Sequence, residues 1–158
     1  MFSATSGYAL RLLVCLAHLP AGSCLPGHEL ARRTQVPENY LAKLLLALGK
    51  AGIVAATRGS GGGYRLQPGA LEVPLVNIVE TFDGTRVRPS CLLGREHPCS
   101  DEDPCPAHFA WRDVREAYLE FLETTKLADI AQYPLREFGS KAKSLGVLSE
   151  TSEKAESS

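Results

Sequence analysis

No run of about 18 apolar residues occurs in this 158-residue sequence, so none of its helices is expected to cross a membrane. Catalytic signatures are missing as well. There is no Gly-x-Ser-x-Gly, no His-Glu-x-x-His and no paired-carboxylate arrangement, so hydrolytic or group-transfer chemistry has no support and an enzyme is not expected. No internal repeat is present. Net charge is nearly absent at −1, and the composition (44% hydrophobic, 22% charged) excludes collagen, a coiled-coil rod and wholesale disorder. An exported lipoprotein is not expected either. The apolar run Leu12–Ala17 has only six residues, Arg11 abuts it, and no charged leader precedes it. An even, spread set of cysteines, the mark of a small secreted scaffold, is also lacking: there are five, and Cys91, Cys99 and Cys105 fall within fifteen residues. That pattern fits a reducing, cytoplasmic compartment and one thiolate site.

The small net charge hides an asymmetry. Residues 1–70 hold seven Lys and Arg against two Asp and Glu, a balance of +5; residues 71–158 hold ten against sixteen, a balance of −6. A basic front half suits nucleic acid. Its hydrophobic periodicity predicts a helix over 3–19 with Tyr8, Leu12, Leu16 and Leu19 on one face, stopped by Pro20 and Gly22. A short helix over 26–33 follows, then a tight break at 34–36. Pro37 opens a third helix with a stripe of Leu41, Leu44, Leu45 and Leu48, and Gly52 caps it. Two short helices about three residues apart form a helix-turn-helix pattern. Strand candidates at 53–57 and 64–66 flank Arg58-Gly-Ser-Gly-Gly-Gly63, which makes a glycine-tipped wing. The glycines do not form a phosphate loop: no Lys is among them, and a strand follows where a helix is needed.

A helix over 74–83 ends at Gly84. Residues 85–106 are irregular and rich in Pro, Cys and acid. A long helix over about 107–126 carries Trp111, Val114, Tyr118, Phe121 and Thr125 at three- and four-residue steps. So long an aromatic seam beside so small a domain is expected to pack on a second copy of the chain. A short helix is expected at 127–133, and the Ser- and Glu-rich tail from about 149 reads as disorder. The expected organisation is a DNA-binding domain over 1–84, a cysteine-rich loop over 85–106, a dimerisation region over 107–133 and an extension over 134–158. The fold class is mainly α with a small two-stranded wing.

Two constellations carry chemistry. The first is DNA contact. A recognition helix reads the major groove mostly through its N-terminal residues, here Glu38, Asn39, Tyr40 and Lys43. Arg58 and Ser60 at the wing base and tip, and Arg65 on its return strand, suit backbone or minor-groove contact. Arg32 and Arg33, ending the second helix, would lie near phosphates. The bland alternative is a solvated basic face used for protein contact. The second constellation is Cys91-x7-Cys99-x5-Cys105-x2-His108. Three thiolates and an imidazole suffice for a metal site. The gaps are too loose for a zinc knuckle and suit an iron–sulfur cluster. A thiol/disulfide switch, zinc, or no site at all remain alternatives, and His97 is a second candidate imidazole. Cys15 reads as a small buried thiol and Cys24 as incidental; His18 and His28 have no ligand companions.

Together these features resemble the bacterial winged-helix regulators that include the iron–sulfur assembly repressor IscR and the nitric-oxide repressor NsrR. The resemblance covers roughly residues 5–131. It is carried by Tyr8-Ala-Leu-Arg11, Glu29-Leu-Ala31, Tyr40-Leu41, the run Arg58–Leu66, the three cysteines, Trp111 and Leu127-Ala-Asp129. It implies a homodimer joined through the long helix, a palindromic double-stranded operator, and a cluster on Cys91, Cys99 and Cys105. His108 matches the IscR-like fourth ligand and favours 2Fe–2S, with 4Fe–4S the other option. NsrR-like members take a carboxylate from the partner's first helix, where this chain has Gly7. Ala42 replaces a Glu that tunes operator choice in IscR-like proteins. Two rivals from other classes are a small electron-transfer protein, which needs no wing, and a structural-zinc module, which would purify colourless.

Overall fold

The structure is a computed structural model, and it describes residues 2–59, 61–84, 91–97 and 99–133. Ser60, Pro98, residues 85–90 and the extension from 134 onward lie outside the described residues.

Helices α1 (Ala4–Ala17), α2 (Gly27–Thr34) and α3 (Glu38–Lys50) are followed by strands β1 (Val54–Thr57) and β2 (Gly63–Leu66). A 3-10 turn (Ala70–Glu72), α4 (Leu75–Asp83), α5 (His108–Thr124) and α6 (Leu127–Ile130) follow among the described residues. The fold is mainly helical with one two-stranded antiparallel sheet, as the sequence implies. Three helices begin directly after a proline. Pro26, Pro37 and Pro74 are N-caps with φ of −59°, −56° and −62°. Proline's fixed φ suits that position, and its missing N–H removes a donor that would have no helical partner. Gly52 (φ 72°) and Gly84 (φ 54°) turn the chain out of α3 and α4 in conformations that favour glycine.

The wing is held along its return strand. Tyr64 and Leu25 exchange backbone hydrogen bonds of 2.9 Å in both directions, adding a one-residue third strand to the hairpin. The approach is close enough to require Gly63, where a Cβ would lie 2.4 Å from the Leu25 carbonyl oxygen. At the tip a Cβ on Gly62 would meet the Thr57 carbonyl oxygen at 2.3 Å. The glycine run is therefore a packing requirement as well as a source of flexibility.

Helix α1 departs from the one-faced helix its periodicity suggests. Leu12 and Leu16 are buried and Tyr8 and Leu19 half-buried, but Ala9, Leu13, Val14 and Cys15 are buried too. The reason is position: α1 packs against α2, α3, α4, α6 and β2, so it is covered on most sides. Leu41, Leu44, Leu45 and Leu48 of α3 form the expected stripe against it. Each such leucine contributes about 1.5–3 kcal/mol by leaving water. The end of α5 and the start of α6 close the core with Leu122 and Leu127, both fully buried. There the chain runs beside the segment before α4: Leu75 N–H donates to the Thr125 carbonyl (2.9 Å) and Leu127 N–H to that of Val73 (3.0 Å).

The seam foreseen on α5 is divided. Tyr118 packs on the core and Trp111 is half-buried, whereas Val114 and Phe121 are 53% and 48% exposed. Leu122, off the foreseen seam, is the residue that anchors α5 to its own domain. Ala110 and Ala117 are exposed beside Val114 and Phe121, so an apolar stripe at helical spacing faces away from the core.

Candidate nucleic-acid interface and metal centre

The N-terminal half of α3 is free of the core on its outer side. Glu38, Asn39, Tyr40 and Lys43 are all exposed, as are Arg58 and Arg65 of the wing. Lys43, Arg58 and Arg65 make no ion pair with another described residue, which leaves their charge available to phosphate. Arg32 and Arg33 are placed differently from a free backbone contact. Both reach the carboxylate of Glu29, Arg32 Nη2 and Arg33 Nε each lying 2.7 Å from Oε1. The two guanidinium groups hold the Glu29 carboxyl down at about 2, first through the hydrogen bond from Arg32. Glu29 therefore stays ionised as pH falls through the ordinary carboxylate range, and the clamp loosens only near its lowered value. Half the charge of this pair of arginines is committed within α2.

Arg11 is a residue whose position periodicity conceals. Its guanidinium lies 5.4 Å from the centre of the Tyr8 ring, and Tyr8 meets Tyr40 of α3 with ring centres 6.2 Å apart. The sign in the sequence is one charged residue on an otherwise apolar helix, three positions after Tyr8. The stacked pair Arg11–Tyr8 thus adjoins Tyr40 at the start of α3.

In the second site each cysteine stands at a turn. Cys91-Leu-Leu-Gly94 closes with Gly94 N–H on the Cys91 carbonyl at 3.1 Å, and Gly94 takes φ 73°. Ser100 closes a turn onto Asp103 N–H at 3.2 Å, just after Cys99. Cys105-Pro-Ala-His108 closes with His108 N–H on the Cys105 carbonyl at 2.9 Å and leads directly into α5. These turns bring the three sulfurs within 4.8 Å of one another. Cys91 Sγ and Cys105 Sγ are 3.6 Å apart, and all five cysteines are free thiols. A tetrahedral ion with metal–sulfur bonds of about 2.3 Å has a sulfur–sulfur edge near 3.8 Å, so the spacing fits thiolates that share one iron or zinc ion, and a cluster of two irons needs one sulfur to stand farther off. Backbone N–H groups of Arg95 and then Leu93 favour the thiolate of Cys91 and bring it to about 7, while burial first of all raises Cys105.

His108 is not one of this group. It is buried, with 6% of its surface exposed, and its Nε2 lies 2.8 Å from Asp101 Oδ1. Asp101 also accepts from Arg112 Nη1 at 3.1 Å to both oxygens, and Arg112 covers the Phe109 ring. The loop is thus tied to α5 by an acid that the sequence did not single out. His97 is exposed and likewise outside the thiol group. Cys15 is buried, and burial raises its thiol; Cys24 donates weakly to Thr57 Oγ1 at 3.6 Å.

A helix-turn-helix braced against a glycine-tipped wing, with a three-thiol pocket leading into a long helix, defines a winged-helix transcription regulator. The family model described as "Rrf2: Iron-dependent Transcriptional regulator" matches residues 2–133, and the chain belongs to that family. It is 32% identical over 127 residues to the HTH-type transcriptional regulator IscR of Serratia proteamaculans, covering 78% of this chain and 74% of the relative. Among solved structures it is similar to CymR (YrzC), the global cysteine regulator of B. subtilis. That match has 27% identity and TM-score 0.66, covering 84% of this chain and 97% of the other. The T. potens IscR structure shares the fold at 24% identity and TM-score 0.60, covering 86% and 93% of the two chains.

Proposed function

We propose that this chain is a cytoplasmic homodimeric regulator whose operator binding is set by an iron–sulfur cluster. The observation that carries the reading is the convergence of Cys91, Cys99 and Cys105 on the loop that leads into α5. The similarity to regulators named IscR supports it. Cys91, Cys99 and Cys105 would hold the cluster, and His108 is the proposed fourth ligand, favouring 2Fe–2S. With Nε2 on Asp101, its Nδ1 is the remaining donor. When bound, a cluster supplies a one-electron centre on this loop. The chain's own contribution is to pass the state of the loop to α5, through the Cys105 turn and the Asp101 bonds to His108 and Arg112. The exposed stripe of α5 would join two copies, so that their α3 helices meet half-sites about 34 Å apart on a palindromic operator. In this reading residues 1–84 bind DNA, 85–106 hold the cluster, 107–133 dimerise and 134–158 are an extension.

Protein purified without oxygen tests this reading by its visible absorption and its iron and sulfide counts. A coloured protein with iron and sulfide in equal number is expected; a colourless zinc protein would overturn it. The 3.6 Å separation of Cys91 and Cys105 sulfurs supports a second reading, a disulfide switch without metal. Mass spectrometry of the oxidised metal-free protein, with and without Cys105→Ala, separates the two.

DNA binding has its own expected result. If each subunit neutralises about four phosphates, the log–log salt slope for the dimer is near −7. Lys43→Ala and Arg58→Ala each remove a charge from both subunits, so each variant flattens the slope by about 2. Both residues are exposed, so thermal unfolding stays at the wild-type temperature. Fluorescence-anisotropy titrations at several salt concentrations measure the slope; one flatter than about −2 in the wild type points to a protein partner instead.

A further inference from the structure

We propose that Arg95 is a positioning residue of the three-thiol site: braced by Asp103, it sets how tightly the loop takes metal and at what potential a cluster there is reduced. The second half of this statement rests on the iron–sulfur reading above; the first does not.

Arg95 is the only Lys or Arg between Cys91 and His108, a stretch that also carries Glu96, Asp101, Glu102 and Asp103. Loading a metal gathers three thiolates into this already acidic loop. Without a cation nearby their mutual repulsion opposes assembly. Arg95 is anchored in the manner such a role requires. Its Nη2 lies 2.5 Å from Asp103 Oδ2, and its Nη1 donates to the Asp103 carbonyl at 2.9 Å. Asp103 is itself fixed, its N–H facing both the carbonyl and the hydroxyl oxygen of Ser100 at 3.2 Å. Ser100 follows Cys99, and Asp103 precedes Cys105 by two residues. The Ser100–Asp103–Arg95 chain therefore spans the loop between its second and third thiols and ties that segment to the first turn.

The same residue faces two of the three sulfurs. The left-handed Gly94 directs the Arg95 backbone N–H back to Cys91, and the guanidinium hydrogen-bonds the Cys99 sulfur. The Arg95 side chain is only 33% exposed, which limits screening by water and salt. An arginine is suited to this because its planar fork can serve a carboxylate and a sulfur at once, whereas a lysine is a point charge. Positive charge beside the sulfurs favours the more negative, reduced state of any cluster they hold.

The test uses the full-length protein with Arg95→Gln, Arg95→Lys and Asp103→Asn. All keep the backbone N–H to Cys91, so only the side-chain role is probed. Cobalt(II) titration of the metal-free protein, read by thiolate-to-cobalt charge-transfer absorption, gives an affinity independent of any cluster. Arg95→Gln should bind cobalt(II) at least about tenfold more weakly, in the range expected when a residue supporting metal ligands is lost. Arg95→Lys should fall between it and the wild type, and Asp103→Asn, which frees the guanidinium but keeps its charge, should bind cobalt(II) more tightly than Arg95→Gln. In anaerobically reconstituted protein the potential of Arg95→Gln should fall by about 59 mV, a tenfold change in a one-electron equilibrium. That of Arg95→Lys should stay near the wild type. A purely structural tie would lower thermal stability in all three variants and leave the potential alone, which overturns the proposal. Cobalt affinity of Arg95→Gln within twofold of the wild type also overturns it. If the wild type binds cobalt(II) but builds no cluster, the iron–sulfur reading fails, while weaker cobalt binding by Arg95→Gln still upholds the role of Arg95.

Discussion

Val114→Glu protein should sediment as a folded monomer at micromolar concentration. Val114 is 53% exposed on the single chain, so the substitution removes little from the domain's own core. It lies on the outer stripe of α5 with Ala110, Ala117 and Phe121, and Phe109 is 52% exposed at the start of the same helix. An apolar stripe of this kind, left unpaired, marks an interaction surface. In a two-fold interface the substitution enters twice, and each unpaired carboxylate costs about 3–5 kcal/mol if it is buried. At 1.4 kcal/mol per factor of ten, even one such term weakens dimerisation by at least about a hundredfold. The DNA consequence is separable from folding. A monomer makes half the phosphate contacts, so the salt slope should fall from near −7 to near −3.5. Glu120→Ala, on an exposed polar position of the same helix, should alter neither measurement. A stable Val114→Glu dimer with an unchanged slope would place the interface elsewhere.

The divided seam shows where reading a sequence stops. Three- and four-residue spacing places Trp111, Val114, Tyr118, Phe121 and Thr125 on one stripe, but it does not say which edge of the stripe turns inward. Leu122 decides that: it is fully buried, and α5 rotates so that Tyr118 follows it into the core while Phe121 does not. Periodicity also cannot show a helix enclosed on most sides, so α1 reads as one-faced. By contrast, the punctuation residues were legible. Pro26, Pro37 and Pro74 sit at helix starts, and Gly52 and Gly84 at helix ends, because their backbone preferences act locally and need no tertiary partner. The third helix and the glycine-tipped hairpin were legible for the same reason.

The candidate metal centre was half legible. Cysteine is rare enough that three within fifteen residues indicate a site, and the sulfurs do converge. The groups that shape the site were not legible. Asp101, Arg95 and Asp103 are ordinary charged residues in a polar loop, and only folding places Asp101 on His108 and Arg112, and Arg95 on Asp103. His108 is the clearest instance. Its position after Cys105 makes it a candidate ligand, yet the same spacing makes it the first residue of α5, where its Nε2 meets a carboxylate. A histidine that ligates through one nitrogen commonly gives the other to such a carboxylate, so the contact is compatible with ligation through Nδ1. Thiol convergence and imidazole ligation are therefore separate questions, and substitutions can address them separately.

Cys91→Ala, Cys99→Ala and Cys105→Ala should each reduce iron and sulfide to near zero after anaerobic reconstitution. Each removes one of three thiolates whose sulfurs lie within 4.8 Å, and leaves an iron without its tetrahedral set. None of the three is in the buried core, so the metal-free domains should melt close to the wild type. His108→Ala should give a labile cluster, because only water could take the vacant position. It also removes a buried ring, so melting of the metal-free variant must be measured beside it; Asp101 keeps Arg112 as a partner. His108→Cys should still assemble a cluster, now with a fourth thiolate. The added negative charge should lower its reduction potential and shift its absorption bands. Iron and sulfide counts with a redox titration of the five variants distinguish these outcomes. Should any single-cysteine variant load iron and sulfide as the wild type does, that residue is not a ligand. Should His108→Ala assemble fully at an unchanged potential, the fourth ligand lies elsewhere. His97 and a group on the first helix of a partner subunit would then be the next positions to substitute.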